Sequence, residues 1–408
     1  VKILISAAEA SSDAHAARLL GALQVLLSES GESLDAFGVG GPKLQAAGLR
    51  VVVDARTLLS MGFVEILGRL PRILRSLKLI AETAERENPQ VAVVVDYPDF
   101  HFRLARRLKR SGIPVVYLIP PKVWVWRQGR VAKMRELFRQ VLCIFPFEEA
   151  IFTRLGMPVT FVGNPLVEEL PMHLSKAEAR LRLGIDSASR RSVVLVMPGS
   201  RPSELKEHLD LMLEACEAAA RAIGKEFLVL CPFALTADLG ELEAKLAPWR
   251  AKRPGSMIEV RFSQGDAHEA MAAADAGLVK SGTSTLEAGL MSLPHAVVYR
   301  PSRTTEFIFK RFIRYAGPVG LVNLVAHPDG PAGRAPYLCR ELLMDQATVE
   351  NLSSELQTLL VDESTLARMR EGFQALRARL RVGPGAPAPS RRAAEQVLNI
   401  ARAARGRT

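Results

Sequence analysis

Val279-Lys280-Ser281-Gly282-Thr283-Ser284-Thr285-Leu286-Glu287-Ala288-Gly289 is the stretch on which the reading of this chain turns. A short apolar segment, Gly277 to Val279, runs into a cluster of small hydroxyl residues, and a helix-like run follows from Leu286 to Met291. Gly282 lets the backbone approach a ligand closely. The residues around it expose amide N–H groups at a helix start, where the macrodipole favours an anion. Glu287 lies within the first turns, and a carboxylate there can accept two hydrogen bonds from a ribose diol. On these residues alone, a capped helix after a buried strand explains the pattern equally well. A second turn of the same kind lies upstream: residues 193–197 are a buried-strand signal, and Pro198-Gly199-Ser200-Arg201 follows directly. Two strand-to-helix turns able to hold phosphate, in one α/β region, point to a nucleotide diphosphate site.

At 408 residues the chain is long enough for two or three domains with sizeable cores. A hydrophobic content of 48% and a charged content of 24% describe a globular protein, not a disordered one. The net charge of +11 predicts attraction to polyanions, whether nucleic acid, anionic lipid or phosphorylated substrates, without choosing among them. Cys143, Cys216, Cys231 and Cys339 lie far apart and form no metal-ligand pattern, which fits small core residues in a reducing compartment. No apolar run approaches the ~20 residues needed to span a bilayer. The opening residues 1–5, followed at once by Glu9 and Asp13, read as a first strand and not as a signal peptide. The expected protein is soluble, or at most rests on a membrane surface.

Strand and helix signals alternate along the chain. Residues 1–5 end in small residues, Ser6 to Asp13, and a helix continues through Ala16, Leu19, Leu20 and Leu23, the opening βα unit of a parallel sheet. Gly38-Val39-Gly40-Gly41-Pro42 lacks the full spacing of a glycine-rich dinucleotide loop and reads better as a tight turn beside a ligand. Over residues 63–78, at about 100° per residue, Phe63, Ile66, Leu67, Leu70, Ile73, Leu74 and Leu77 fall within an arc of roughly 120°, while Arg69, Arg72, Arg75 and Lys78 fall outside it. Pro71 is expected to kink or divide this helix. Two readings stand: a surface helix with its stripe in the core, or an interfacial segment whose apolar side meets acyl chains while the arginines meet lipid phosphates.

Residues 91–95 form the clearest buried strand, with Asp96-Tyr97-Pro98-Asp99-Phe100 at its carboxyl end and a basic helix next. Ligands of open α/β sheets collect outside the carboxyl ends of strands. A carboxylate placed there is a candidate base or, equally, a helix N-cap. Residues 115–119 are another strand, leading to Trp124 and Trp126, which frame an apolar or sugar-facing pocket or simply pack. Residues 141–147 and 159–162 read as the last strands of this half, and Gly163-Asn164-Pro165 as a break. The second half runs through strands near 193, 227–231, 258–262, 277–279 and 296–300. A loop-rich region containing Asn323 follows, then a helical stretch over 349–380, a Pro/Gly break at 383–389, and a final basic helix. No repeat of short period is present.

The chain has no Gly-x-x-x-x-Gly-Lys-Ser/Thr loop, no His-Glu-x-x-His and no Cys-x-x-Cys. It also has no Asp-x-Asp, the commonest signal for a divalent metal on a sugar diphosphate. The expectation is therefore no metal and no cofactor. Positive potential at a leaving diphosphate then comes from Arg201, backbone N–H groups and helix ends.

Taken in order, these motifs resemble the lipid-A-disaccharide synthase family of inverting GT-B glycosyltransferases. The resemblance runs from Ile3 to about Leu343. It rests on Glu9-Ala10-Ser11-Ser12-Asp13, Gly38 to Pro42, Ser60-Met61-Gly62-Phe63-Val64-Glu65 and Asp96 to Phe100. It continues through Val123-Trp124-Val125-Trp126-Arg127, Pro198 to Arg201, Ser281-Gly282-Thr283 with Glu287, and Asn323-Leu324. Ser12 stands where the family carries glycine, and Gln90 where an aspartate is common.

The resemblance implies two Rossmann-like parallel-sheet domains facing across a cleft. Residues 1–166 are the acceptor and lipid domain, 167–345 the UDP-sugar domain, and 346–408 C-terminal helices crossing back to the first. It implies transfer from UDP-2,3-diacylglucosamine to 2,3-diacylglucosamine 1-phosphate, with Asp99 as general base on the acceptor hydroxyl. Ser200, Arg201, Ser281, Gly282, Thr283, Glu287 and Asn323 serve the UDP-sugar, and Glu9, Asp13, Met61, Gly62 and Trp126 the acceptor side. The implied partners are the two lipid substrates and an anionic membrane surface at the cytoplasmic face of the inner membrane, with no nucleic acid, and a homodimer is left open. A UDP-sugar 2-epimerase shares the architecture but leaves the basic amphipathic helix and the Asp99 segment unexplained. A protein that only binds phospholipid or nucleic acid rests on the positive charge alone, and the basic residues lack the interleaved aromatics of single-strand binders.

Overall fold

Runs of β-branched and small apolar residues, buried on both faces, form the strands of two all-parallel sheets, as such runs do when helices cover both sides. The computed structural model describes residues 1–58, 63–122, 130–186, 188–235, 237–251, 253–301, 317–327, 337–383 and 385–405. The chain divides into two units, one made of Val1–Glu168 with Leu380–Thr408 and the other of Glu169–Arg379.

The first unit carries β1 (Lys2–Ala7), β2 (Asp35–Gly40), β3 (Arg50–Asp54), β4 (Val91–Val95), β5 (Val115–Leu118), β6 (Gln140–Cys143) and β7 (Val159–Phe161). Their order in the sheet is β3-β2-β1-β4-β5-β6-β7. Side chains alternate between faces with period two. Ile3, Ile5 and Val93 enter one core with Leu19 and Leu20 of α1 (Ala10–Glu29). Leu4, Ala92 and Val94 enter the other with α3 (Phe63–Glu87) and α4 (Pro98–Arg110), through Leu77, Ile80 and Leu104. The short α2 (Pro42–Ala46) follows β2.

The second unit has β8 (Ser192–Met197), β9 (Phe227–Phe233), β10 (Ile258–Gln264), β11 (Ala276–Lys280), β12 (His295–Tyr299) and β13 (Glu341–Leu343), in the order β10-β9-β8-β11-β12-β13. Both sheets thus run outward from a first strand in one direction and then restart on its other side, between β1 and β4 and between β8 and β11. That reversal is the ligand-binding point of doubly wound folds. Here α5 (Pro202–Ile223) follows β8, and α6 (Thr283–Leu290) follows β11. Further on, α7 (Val349–Val361) packs against α5, and α8 (Glu363–Leu380) docks on α6, with Arg377 Nε donating to Leu290 O at 2.8 Å.

Several expectations are revised. The glycine stretch 38–40 is not a ligand turn but the end of β2, because a Cβ on Gly38 would stand 1.9 Å from Ile5 O of the paired strand. Residues 141–147 are not one strand: β6 stops at Cys143 and Pro146 begins a helix, where its missing N–H costs nothing. Helix α3 continues to Glu87 and Pro71 does not divide it. The helical stretch at 349–380 is two helices, broken where Asp362 accepts from the N–H of Ser364 at 2.9 Å and of Thr365 at 3.3 Å. Both of these helices belong to the second unit up to Arg379, so of residues 346–408, expected as helices crossing back to the first domain, Leu380–Thr408 with the last helix, α9 (Pro389–Arg405), join it. There it packs on α1, with Arg391 paired to Glu29 at 2.8 Å and Arg402 to Glu32 at 2.9 Å.

Gly38→Ala is expected to cost about 3 kcal/mol or more, since the added methyl meets backbone and not a movable side chain. Urea unfolding of the full chain measures it, and an unchanged midpoint contradicts the close approach.

Candidate active site

In the first unit the backbone is strained where β4 and β5 end. Asp96 and Tyr97 adopt φ 52° and 46°, and Ile119 on the neighbouring strand adopts 58°, left-handed values that non-glycine residues reach at a cost of roughly 1–3 kcal/mol each. The turn is held from several sides. Asp96 N donates to Leu118 O at 3.1 Å, while Asp96 O accepts from Tyr117 Oη at 3.0 Å and from His101 Nδ1 at 2.6 Å. Since a carbonyl only accepts, His101 carries its proton on Nδ1, and its Nε2 accepts from Ser6 Oγ at 2.9 Å. His101 is fully buried, and burial lowers its pKa to about 4, so it works as a neutral strut.

The strained turn aims α4 so that Asp99 stands in its first helical turn, exposed, after Pro98 at the helix start. The N-cap is Tyr97, with no side-chain cap, so the N-cap reading of Asp99 does not hold. Burial, and then the charges of Glu9 and Asp99, push the Tyr97 hydroxyl above its ordinary value. Asp96, half-buried on the same turn, has its carboxyl raised by burial.

Asp13 is not part of this group. It is buried, with Oδ1 accepting from Gly41 N at 2.7 Å and Oδ2 from Lys43 N at 2.9 Å. It caps α2, and the lack of a side chain on Gly41 makes room, since a Cβ there would lie 2.8 Å from Asp13 Oδ2. Two motifs picked out for ligand contact thus serve each other. Met61, Gly62 and Trp126 lie outside the described residues.

In the second unit, Gly199, Ser200, Arg201, Lys280, Ser281, Gly282 and Thr283 line one cavity of about 470 Å³ at the carboxyl ends of β8 and β11. Helix α6 starts there without a side-chain cap. Its first N–H groups have no intrahelical acceptor and mark an anion position. A Cβ on Gly282 would meet nothing nearer than Lys280 O at 3.9 Å, so the space beside it is open. Glu287, a turn further on, pairs with His268 Nε2 at 3.5 Å, and His268 lines the same cavity. The hydrogen bond that His268 donates to Glu287, opposed by burial, raises the His268 pKa.

Asn323 is not brought to this cavity. It is buried in a short helix, and its amide is spent on Cys339 O at 2.7 Å, Glu341 Oε1 at 2.8 Å and Cys339 N at 2.9 Å. A larger cavity, about 1030 Å³, opens at the opposite end of the sheet. There Arg180 is held by Ala273 O at 3.0 Å and Asp275 at 2.9 Å, and Arg377 by Leu290 O at 2.8 Å. Those arginines serve helix C-termini, as cations do.

Comparison with known proteins gives the family and the fold. The family described as lipid-A-disaccharide synthetase matches residues 3–381. The chain belongs to that family. Within it, the lipid-A-disaccharide synthase of Anaeromyxobacter dehalogenans is 41% identical over 405 residues, 98% of each chain. That of Myxococcus xanthus is 37% identical over 400 residues, 98% of this chain and 97% of its own. Membership makes the chain a glycosyltransferase of lipid A synthesis. Among solved structures, the UDP-GlcNAc 2-epimerase from Neisseria meningitidis bound to UDP-GlcNAc aligns over 98% of this chain and 99% of its own, with TM-score 0.57 and 12% identity. The calicheamicin glycosyltransferase aligns over 98% of each chain, with TM-score 0.54 and 16% identity. At such identities the likeness is one of fold, which is GT-B, and the epimerase shares that fold without drawing the chain from its family.

Sequence reasoning missed Lys280, Glu204 and His268 in the cavity, and the Ser6–His101 strut in the first unit. Glu204 stands three residues after the N-cap, but with Arg201 there, whose side chain has no acceptor, the sequence carried no capping signature.

Between pH 6.5 and about 4 the unfolded chain takes up a proton that folded His101 refuses. Its contribution is therefore complete above pH 6.5 and is lost as pH falls through that window, by about 3 kcal/mol. His101→Gln is expected to flatten the fall in urea midpoint between pH 7.5 and 4.5; an equally steep fall in the variant rejects the assignment.

Proposed function

We propose that this chain joins UDP-2,3-diacylglucosamine to 2,3-diacylglucosamine 1-phosphate, giving the β-1′,6-linked disaccharide 1-phosphate and UDP. The observation that carries the reading is the uncapped start of α6 opening on a cavity shared with Ser200 and Arg201, in a chain that matches the family almost end to end. Ser281 to Thr283 and Arg201 receive the diphosphate, and Glu287, steadied by His268, takes the ribose hydroxyls. Asp99 removes the proton of the acceptor 6-hydroxyl. The freed oxygen attacks the anomeric carbon from the face opposite UDP, and the C–O electron pair leaves with the diphosphate, inverting the centre. Such a displacement needs one base within ~3 Å of the hydroxyl and positive potential on the leaving side.

Both substrates carry acyl chains, so the enzyme works at a lipid surface, here read as the cytoplasmic face of the inner membrane. No helix among the described residues is long and apolar enough to cross a membrane. Support for surface attachment comes from α3: Leu77 enters the core, but Leu74 stays 43% exposed, beside exposed Arg72, Arg75 and Lys78. An apolar side chain among cations suits the boundary between acyl chains and phosphates.

Asp99→Asn is expected to lower turnover roughly 10²- to 10⁴-fold while UDP affinity stays within about twofold; a near-wild-type rate removes Asp99 as the base. Product analysis by mass spectrometry from the diacyl donor and acceptor tests the reaction itself. Reversing Arg72 and Arg75 to glutamate should weaken flotation with anionic vesicles about tenfold or more, since each cation near such a surface contributes about 1 kcal/mol. Undiminished flotation ends the surface reading of α3.

A further inference from the structure

Lys280 is the last residue of β11, one step before the turn that receives the diphosphate in the reading above, and it lines the same cavity. Its Nζ donates to Glu204 Oε1 at 2.9 Å, with both side chains largely buried, 17% and 19% exposed. The other oxygen of Glu204 accepts from Ser200 N at 3.0 Å and Arg201 N at 3.3 Å. Gly199 makes this contact feasible, since it adopts φ +113° and a Cβ on it would lie 2.5 Å from Glu204 Oε2. The amide groups of the β8 turn are therefore already occupied by an internal carboxylate. An incoming diphosphate finds them filled and, among the described residues, meets the start of α6, the Arg201 side chain and Lys280. An ammonium has three donors, and Glu204 engages one of them through this contact. A buried ion pair is a weak device for stability, because desolvation offsets much of its attraction. At the wall of an anion cavity it is a positioned cation.

We propose that Lys280 is a diphosphate-binding residue, held in place by Glu204 in the free enzyme and turned toward the nucleotide when it binds. This rests on the reading of the cavity as a UDP-sugar site. When the glycosidic bond breaks, its electron pair passes to the diphosphate oxygen, and the Lys280 ammonium stabilises the added charge without giving up its proton. The acceptor proton goes to Asp99. Glu204 limits how tightly the product is held, since its negative charge competes for Lys280.

The test is calorimetric titration of the full chain with UDP and with uridine. Lys280→Met is expected to weaken UDP roughly 10- to 100-fold, the worth of one charge-assisted contact, and to leave uridine within about twofold. The double variant Lys280→Met/Glu204→Gln, which leaves no unpaired buried charge, should show the same selective loss. Glu204→Gln alone should tighten UDP. A Lys280 variant that binds UDP like the wild type, or loses UDP and uridine equally as a merely structural defect does, overturns the proposal while the UDP reading stands. Wild-type protein that binds no UDP overturns both.

Discussion

Winding reversal is the constraint from which the rest of the molecule follows. In a parallel sheet each strand must be reached by a crossover, and crossovers of one hand send successive helices to one face. Where the strand order restarts, between β1 and β4 and between β8 and β11, the helices depart to opposite faces and leave a gap at the carboxyl ends. The left-handed Asp96–Tyr97 turn and the uncapped start of α6 both stand at such a gap. Neither feature survives alone. The strained turn depends on His101 and Tyr117 at the Asp96 carbonyl, and the α6 start depends on Ser281 Oγ donating to Val319 O at 3.1 Å and Thr285 Oγ1 to Gly282 O at 2.9 Å.

A second pattern is the use of carboxylates as internal anions. Asp13 fills the start of α2, and Glu204 fills the start of α5. Glu341 accepts from Val319 N at 2.9 Å, Gly320 N at 2.8 Å and Asn323 Nδ2 at 2.8 Å. Burial pushes the Glu341 carboxyl up while these donors pull it back. Helix starts closed in this way no longer attract a ligand, so the start of α6, which carries no such plug among the described residues, stands apart from them. Internal carboxylates thus fill those three positions with anions of the chain's own.

Much of this was legible in the sequence, and what was not has physical causes. Buried strands such as 91–95 and 193–197 announce themselves because both faces demand apolar side chains. Gly38-Val39-Gly40 hid its strand because glycine is read as a turn, whereas here it answers the nearness of Ile5. Asp13 and Asn323 looked like ligand groups, being polar residues in recognisable motifs, yet each satisfies buried backbone. Lys280 and Glu204 lie seventy-six residues apart, and no local pattern joins them; only the pairing of β11 beside β8 does. Gln90 illustrates a departure absorbed locally: its Oε1 accepts from Lys2 N at 2.5 Å, tying the residue before β4 to the start of β1.

The placement of α9 has a practical consequence for anyone dividing this protein. Because Val397, Leu398 and Ala401 complete the core that holds Ile5 and Val93, the first unit is assembled from both chain ends, and a fragment stopping at Glu168 leaves that face uncovered. Residues 169–379 form one uninterrupted stretch carrying the whole cavity lined by Arg201 and Lys280. Excision therefore favours the second unit. The first unit calls for a circular permutant that joins the last helix directly to the first strand.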